Sequence, residues 1–299
     1  MLSIIVPCKN EEEAIQPFYQ ELKKTLASLN TTYELIFVDD GSTDSTLEEF
    51  KKLKKKDKKI KILSFSRNFG KEAAMYAGLN ESKGDYVVTM DVDLQDPPYL
   101  LKEMYSLIKK GDYDCIGSRR VTREGEPPIR SFFARCFYRL INRFVDFEIV
   151  DGARDFRMMT RSMVNSVLSM KEYHRFSKGL FSWVGYKTKY LEYENIERIN
   201  GETKWSFIKL FKYAIEGITS FSTFVLGLPF VFSLILFLFF VIYLIVCLVN
   251  AFTNLSVIIL ILSLFTSIVL LCIGFIGQYV GRTYVQSKNR PLYIIKNRY

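Results

Sequence analysis

From Gly217 to Gly281 the chain carries no Asp, Glu, Lys or Arg. No other feature restricts the fold so tightly. Two apolar runs lie inside this stretch, roughly Phe221–Val249 and Leu255–Val280, with the short polar turn Asn250–Asn254 between them. Each run exceeds the ~20 residues that a bilayer-spanning helix needs. A buried hairpin in a globular domain fits this length and polarity poorly. The expectation is a two-helix transmembrane hairpin over 221–281. Its turn carries no basic residue. Arg282, Lys288, Arg290, Lys296 and Arg298 follow the second run with no acid among them, and the long N-terminal region is also rich in Lys and Arg. By the positive-inside rule both termini face the cytoplasm and the tip faces out. That predicts a multi-pass plasma-membrane protein. A chain of 299 residues with net charge +9 leaves room for one sizeable domain before the hairpin. Met1–Pro7 is too short to be a signal peptide. The five cysteines show no C-x-x-C spacing and read as reduced, ordinary residues. The single histidine, His174, is unable to found a His-based metal site or triad.

The first 120 residues alternate strand and helix signals. Leu2–Pro7, Tyr33–Val38, Ile60–Phe65, Tyr86–Met90 and Tyr113–Ser118 read as strands. Helical spacing runs over about Ala14–Leu29, from Thr46 to about Lys55, from Lys71, and over Pro98–Lys110. This alternation predicts a parallel sheet with helices on both faces. Beyond Arg120 two stretches read as basic amphipathic helices, Arg130–Phe144 and Lys204–Ile218. Each suits either an anionic leaflet or a packed helix with a solvated basic face. The tethering hairpin favours the leaflet, with Trp205 as an interfacial anchor.

The chemistry concentrates at Tyr86–Pro98, YVVTMDVDLQDPP. In open α/β sheets ligands sit at the carboxyl ends of strands. Asp91 and Asp93 are two apart, so in an extended segment they face the same way, and Gln95 continues the alternation. Two readings stand. One is an acidic turn after a core strand. The other is a pair of hard ligands for a divalent cation; Mg²⁺ is usually held by only one or two carboxylates beside substrate phosphates. The loops after the first, second and fifth strands converge on the same edge with Pro7–Glu11, Asp39-Asp40 and Arg119. No G-x-G-x-x-G or P-loop fingerprint is present, so a metal-bound nucleotide diphosphate is the ligand class that remains.

These residues carry a resemblance. IIVPCKNEEE, VDDGSTD at 38–44, SRNFGKEAA at 66–74, MDVDLQDPP at 90–98, GSRR at 117–120, DGARDFRMM at 151–159 and RINGETKWS at 198–206 together resemble a family 2 glycosyltransferase of the GT-A fold. Within it the chain is similar to the polyprenyl-phosphate hexosyltransferases, the bactoprenol glucosyltransferases and dolichol-phosphate mannose synthases. The match covers nearly the whole length, the two spans and the tail included. Lys9 departs from the Tyr that the family often has there.

The resemblance implies a Rossmann-like nucleotide-sugar-binding domain over 1–200, a juxtamembrane amphipathic helix over 201–220, two transmembrane helices over 221–281 and a basic cytoplasmic tail over 282–299. It implies that Pro7, Lys9, Glu11 and Asp40 bind the nucleoside and that Asp91 sits against ribose or diphosphate. Asp93 and Gln95 would hold Mg²⁺ or Mn²⁺, with Asp91 beside them. Arg119, Arg198 and Lys204 would meet phosphates, and Asp155 would face the reacting sugar. For Arg119 and Asp155 an ordinary ion pair at a sheet edge is the competing reading. The implied reaction is inverting transfer of a hexose from a nucleotide sugar to polyprenyl phosphate, with UDP-glucose first, UDP-N-acetylglucosamine close behind and GDP-mannose third. The implied partners are the nucleotide sugar, the lipid phosphate, the membrane and further copies of the chain, as a homotetramer. No nucleic-acid partner is expected. A processive polysaccharide synthase would carry Q-x-x-R-W, which is missing here. A non-catalytic nucleotide-sugar scaffold would have lost part of the acidic set.

Overall fold

A computed structural model describes residues 1–121, 142–143, 145, 147–173, 175–194, 238 and 255–299. The chain divides into two compact units, Met1–Gly217 with Pro291–Tyr299, and Ile218–Arg290.

The first unit is built on an eight-stranded sheet. Its strands are β1 (Leu2–Cys8), β2 (Tyr33–Asp39), β3 (Ile60–Phe65), β4 (Tyr86–Thr89), β5 (Cys115–Arg120), β6 (Ala153–Thr160), β7 (Thr188–Tyr193) and β8 (Ile295–Arg298), in spatial order β7-β5-β6-β4-β1-β2-β3-β8. The helices are α1 (Ile15–Ala27), α2 (Thr46–Lys56), α3 (Lys71–Glu81), α4 (Leu100–Ile108), α5 (Arg161–Ser169) and α6 (Ser177–Trp183). β1 and β2 are buried along almost their whole length, as strands covered on both faces must be. Alternate side chains serve the two faces. Ile4 and Val6 join a core with Phe18 and Leu22 of α1, Phe50 of α2 and Met104 of α4. Ile5 joins the opposite core with Ala74 and Ala77 of α3, Val164 of α5 and Phe181 of α6. In α1 the buried positions Ile15, Phe18, Tyr19, Leu22 and Leu26 fall at helical spacing, which is why that stretch coils.

The all-parallel expectation is corrected. β1, β2, β3 and β4 pair in parallel, but β6 enters antiparallel between β4 and β5, and β8 pairs antiparallel with β3. The sheet is mixed. β6 carries Arg154, Asp155 and Arg157 among its apolar residues, so its sequence does not read as a plain core strand. Residues 291–299, expected as a basic tail, return to the first unit instead. The exposed edge of β3 offers unpaired backbone groups. β8 satisfies them, while Tyr293 stacks on Phe65 at 5.1 Å and Tyr299 exchanges backbone hydrogen bonds with Ile62 at 3.0 Å.

In the second unit, α7 (Leu255–Ser287) is a 33-residue helix. Several of its side chains lie outside the described set. Among the described residues no helix is long and apolar enough to cross a membrane. The first span, the turn 250–254, the helix over 204–218 with Trp205, nearly all of the helix over 130–144, and His174 lie outside the described residues.

Candidate active site

Parallel pairing of β1, β2 and β4, together with β5 pairing to β6, brings four strand ends to one edge of the sheet. β4 stops at Thr89, and Asp91–Asp96 forms a turn rather than an extended segment. The alternation survives the change. Asp91, Asp93 and Gln95 stay partly exposed, whereas Val92, Leu94 and Asp96 are buried. The turn is made by Leu94 at φ 56, a left-handed conformation that a bulky residue adopts only under constraint.

Lys71 organises the acids. Its ammonium lies 2.8 Å from Asp91 and 2.7 Å from Asp155, while 40% of its side chain stays accessible. The cation is therefore shared by two carboxylates while part of its side chain stays open to solvent. Burial by itself would favour neutral lysine, but Asp155 and Asp91 outweigh it and hold Lys71 protonated. Burial likewise would raise the Asp155 carboxyl. Lys71, then Lys178 and Arg157, pull it well below the usual carboxylate range. The Thr89 hydroxyl at the end of β4 donates to the Asp155 carbonyl at 2.5 Å, which ties the two strands at the site. The neighbouring Glu72 accepts from the backbone N–H and hydroxyl of Ser177 at the start of α6. Burial and the Asp155 charge push its carboxyl up to about 7.

Lys71 was not singled out as a site residue in the sequence. The available signal was its place in SRNFGKEAA, at the first position of a helix that starts at the ligand edge. α3 is fixed there by close approach to β1: a Cβ on Gly78 would run into the Ile5 side chain.

The other expected residues separate into groups. Asp93 accepts the Gln95 N–H at 3.2 Å, and Gln95 accepts from Arg154 at 3.5 Å. Asp40 is buried, and its two oxygens accept the N–H groups of Phe69 at 2.6 Å and Gly70 at 2.9 Å. Burial raises its pKa against these bonds and the nearby Lys9 charge. Gly41 at φ 64 lets the 67–68 backbone pass where a Cβ would clash. Pro7 is held in β1 opposite Val38, and the Glu11 N–H donates to Thr46. Arg119 donates to the Asp151 carbonyl at 3.0 Å and pairs with Glu192 at 3.2 Å. Its hydrogen bonds run to the β6–β7 side and not to Asp91 or Asp155. Arg198 and Lys204 lie outside the described residues.

Residues 3–168 match the family model described as Glycosyl transferase family 2. The chain belongs to that family. The putative glycosyltransferase CsbB of Bacillus subtilis (strain 168) is 41% identical over 302 residues, covering 99% of this chain and 91% of the relative. The bactoprenol glucosyl transferase of Shigella phage SfV is 39% identical, covering 99% and 98%. The chain is thus a glycosyltransferase related to the bactoprenol glucosyl transferases. Among solved structures, the mannosyltransferase PcManGT from Pyrobaculum calidifontis, in complex with GDP-Man and Mn²⁺, aligns with TM-score 0.51 at 15% identity over 73% of this chain and 63% of that one. The fold of this family 2 enzyme is accordingly α/β and GT-A-like, with a mixed sheet.

The residues suit a divalent cation in kind. Asp91, Asp93 and Gln95 offer hard oxygen donors from one partly exposed turn. Among the described residues no group of three or more His, Cys, Asp or Glu stands ready to hold a metal by protein ligands alone. A cation at this turn would need further ligands from water and phosphate, as Mg²⁺ usually does.

Proposed function

We propose that this enzyme transfers a hexose from a nucleotide sugar to polyprenyl phosphate at the cytoplasmic membrane face, with inversion at the anomeric centre. UDP-glucose is the first donor to test and undecaprenyl phosphate the first acceptor. The observation that carries the reading is the Asp91–Lys71–Asp155 cluster, which joins the metal-type turn after β4 to a carboxylate on β6 across one ammonium. The names of the bactoprenol relatives support the donor and acceptor classes. The Mn²⁺ bound by the Pyrobaculum calidifontis mannosyltransferase supports the metal.

Asp91, Asp93 and Gln95 are the residues that would hold Mg²⁺ or Mn²⁺. When bound, the ion supplies positive charge that offsets the departing nucleoside diphosphate. The chain's own groups do the rest. Lys71 is a second cation, available to phosphate oxygens once Asp91 turns to another partner. Asp155 stays ionised at neutral pH because Lys71 and Lys178 hold its proton affinity down. A carboxylate of depressed pKa is a weak base. It is suited to orienting the acceptor or facing developing positive charge on the sugar. No strong base is needed, since a phosphate monoester is largely deprotonated at neutral pH. Attack opposite the leaving group turns an α-linked donor into a β-linked lipid sugar.

Membrane attachment belongs to the same reading. The chain leaves the first unit at 218 and rejoins it at 291, entering its sheet at Ile295. A segment that starts and ends in one domain on one side of a bilayer crosses that bilayer an even number of times. That supports a hairpin over 221–281 with both of its ends cytoplasmic, and a site held near lipid headgroups.

The test is a radiolabel assay on membranes containing the full chain, with a panel of UDP-glucose, UDP-N-acetylglucosamine and GDP-mannose against undecaprenyl phosphate. The expected product is one organic-extractable labelled lipid, made from UDP-glucose. Label on a water-soluble acceptor at the same rate in a chain cut at about 218 would overturn the lipid assignment.

A further inference from the structure

Asp96 closes the acidic turn yet takes no part in the exposed cluster. It is fully buried. Its Oδ1 accepts the Arg154 Nε–H at 3.0 Å and the Tyr193 hydroxyl at 2.6 Å. Its Oδ2 is buried without a hydrogen bond. Arg154 also reaches Gln95 at 3.5 Å, and it immediately precedes Asp155 on β6. Tyr193 is the last residue of β7, at the root of the segment that leads to Arg198. One buried carboxylate thus ties together the turn after β4, the strand that carries Asp155, and the start of the segment expected to meet phosphate.

A buried ion pair is a poor way to gain stability. Desolvation offsets most of the attraction, and a hydrophobic replacement is often as stable. The unpaired Oδ2 adds the further cost of a buried polar atom without a partner. What the arrangement does supply is direction, because charge-assisted bonds to a planar guanidinium fix geometry. Direction is what the turn lacks without it. Leu94 at φ 56 persists only if its surroundings over-determine it. Val92 and Leu94 pack inward on one side, and the Asp96 anchor with buried Pro97 and Pro98 holds the far end.

We propose that the buried Asp96–Arg154–Tyr193 cluster is a positioning device that sets the Asp91–Gln95 turn against Asp155, and that Asp96 governs metal–diphosphate binding through Arg154 without touching either ligand. This rests on the functional reading above and deepens it by assigning a residue outside the expected ligand set.

The test uses the full-length chain in detergent or nanodiscs, with Asp96→Asn and Tyr193→Phe. Both substitutions keep shape; the first removes charge and the second one hydroxyl. Mn²⁺ binding in the presence of UDP is read by electron paramagnetic resonance, alongside UDP binding in EDTA, the KM for lipid acceptor and kcat. Asp96→Asn is expected to weaken Mn²⁺ binding and lower kcat by about 10–100-fold, the range found when a supporting partner of a metal ligand is removed. UDP binding in EDTA and the acceptor KM stay near wild type. Tyr193→Phe moves the same readouts in the same direction by less, and it carries the test if Asp96→Asn does not fold. Wild-type Mn²⁺ binding in the folded variants overturns the inference, even if their melting temperatures fall. A wild type that binds no Mn²⁺ with UDP overturns it as well. A wild type that binds Mn²⁺ and UDP, loses this in Asp96→Asn, yet glycosylates no polyprenyl phosphate upholds the inference and removes the acceptor reading.

Discussion

Two acidic strand ends lie on the same edge of the sheet and differ in what answers their charge. After β2, Asp39 and Asp40 are buried and satisfied by fixed groups of the protein: Ser42 N–H and the Ser64 hydroxyl for Asp39, Phe69 and Gly70 N–H for Asp40. After β4, Asp91 is partly exposed and pairs with the flexible ammonium of Lys71, which it shares with Asp155. Backbone N–H groups are not displaceable without unmaking the loop. A lysine side chain is. The same residue type at equivalent positions therefore builds the scaffold in one place and leaves charge available to a ligand in the other.

The comparison breaks most visibly at Asp93. Asp93→Asn is expected to lower transfer by at least about 10³-fold, the upper end of the effect of one electrostatic group at a reacting centre. EDTA is expected to match it in the wild type, with Mn²⁺ or Mg²⁺ restoring the rate. Full turnover in EDTA would remove the metal from the reading.

Asp155→Asn comes next. Asn keeps the shape and one acceptor oxygen but leaves Lys71 only the Asp91 charge to pair with. We expect a rate loss on the order of 10²–10³-fold, with UDP affinity near wild type. The wild-type pH–rate profile should report the ionisation of the lipid phosphate. A profile that follows a side chain near neutrality and vanishes in Asp155→Asn would make Asp155 an obligatory base instead.

Asp40→Ala sharpens the contrast from the structural side. The Phe69 N–H loses its acceptor and the Gly70 N–H keeps only Asn68, so the melting temperature should fall, by about 1–3 kcal/mol of stability. Transfer per folded molecule should change far less than in Asp93→Asn. A wild-type melting curve with a large rise in donor KM would move Asp40 into nucleoside contact, as the family resemblance implies.

The smallest effect concerns Glu72. Its folded carboxyl lies near 7, above the ordinary value of 4.5. The folded state therefore holds the proton more tightly. Its contribution to stability is fullest below about 4.5 and is lost as pH rises to about 7. Thermal melts between these pH values should show that decline in the wild type and lose it in Glu72→Gln. An unchanged slope in the variant would assign the decline to other groups.

The sequence by itself determined what depends on neighbours along the chain. Strands β1–β5 and helices α1–α4 were legible because burial on two faces and helical spacing are local patterns. The Asp91, Asp93, Gln95 alternation was legible too, and it holds although the segment forms a turn and not an extended strand. Only the tertiary structure decided the rest, because the causes lie far apart in sequence. β6 is a strand by virtue of the gap between β4 and β5, and β8 by virtue of the open edge of β3. Lys71 gained its meaning from Asp91 and Asp155, which lie 20 and 84 residues away. The difference between Asp40 and Asp91 was equally out of reach: no residue type records whether a carboxylate will meet a backbone N–H or a side chain that is able to leave.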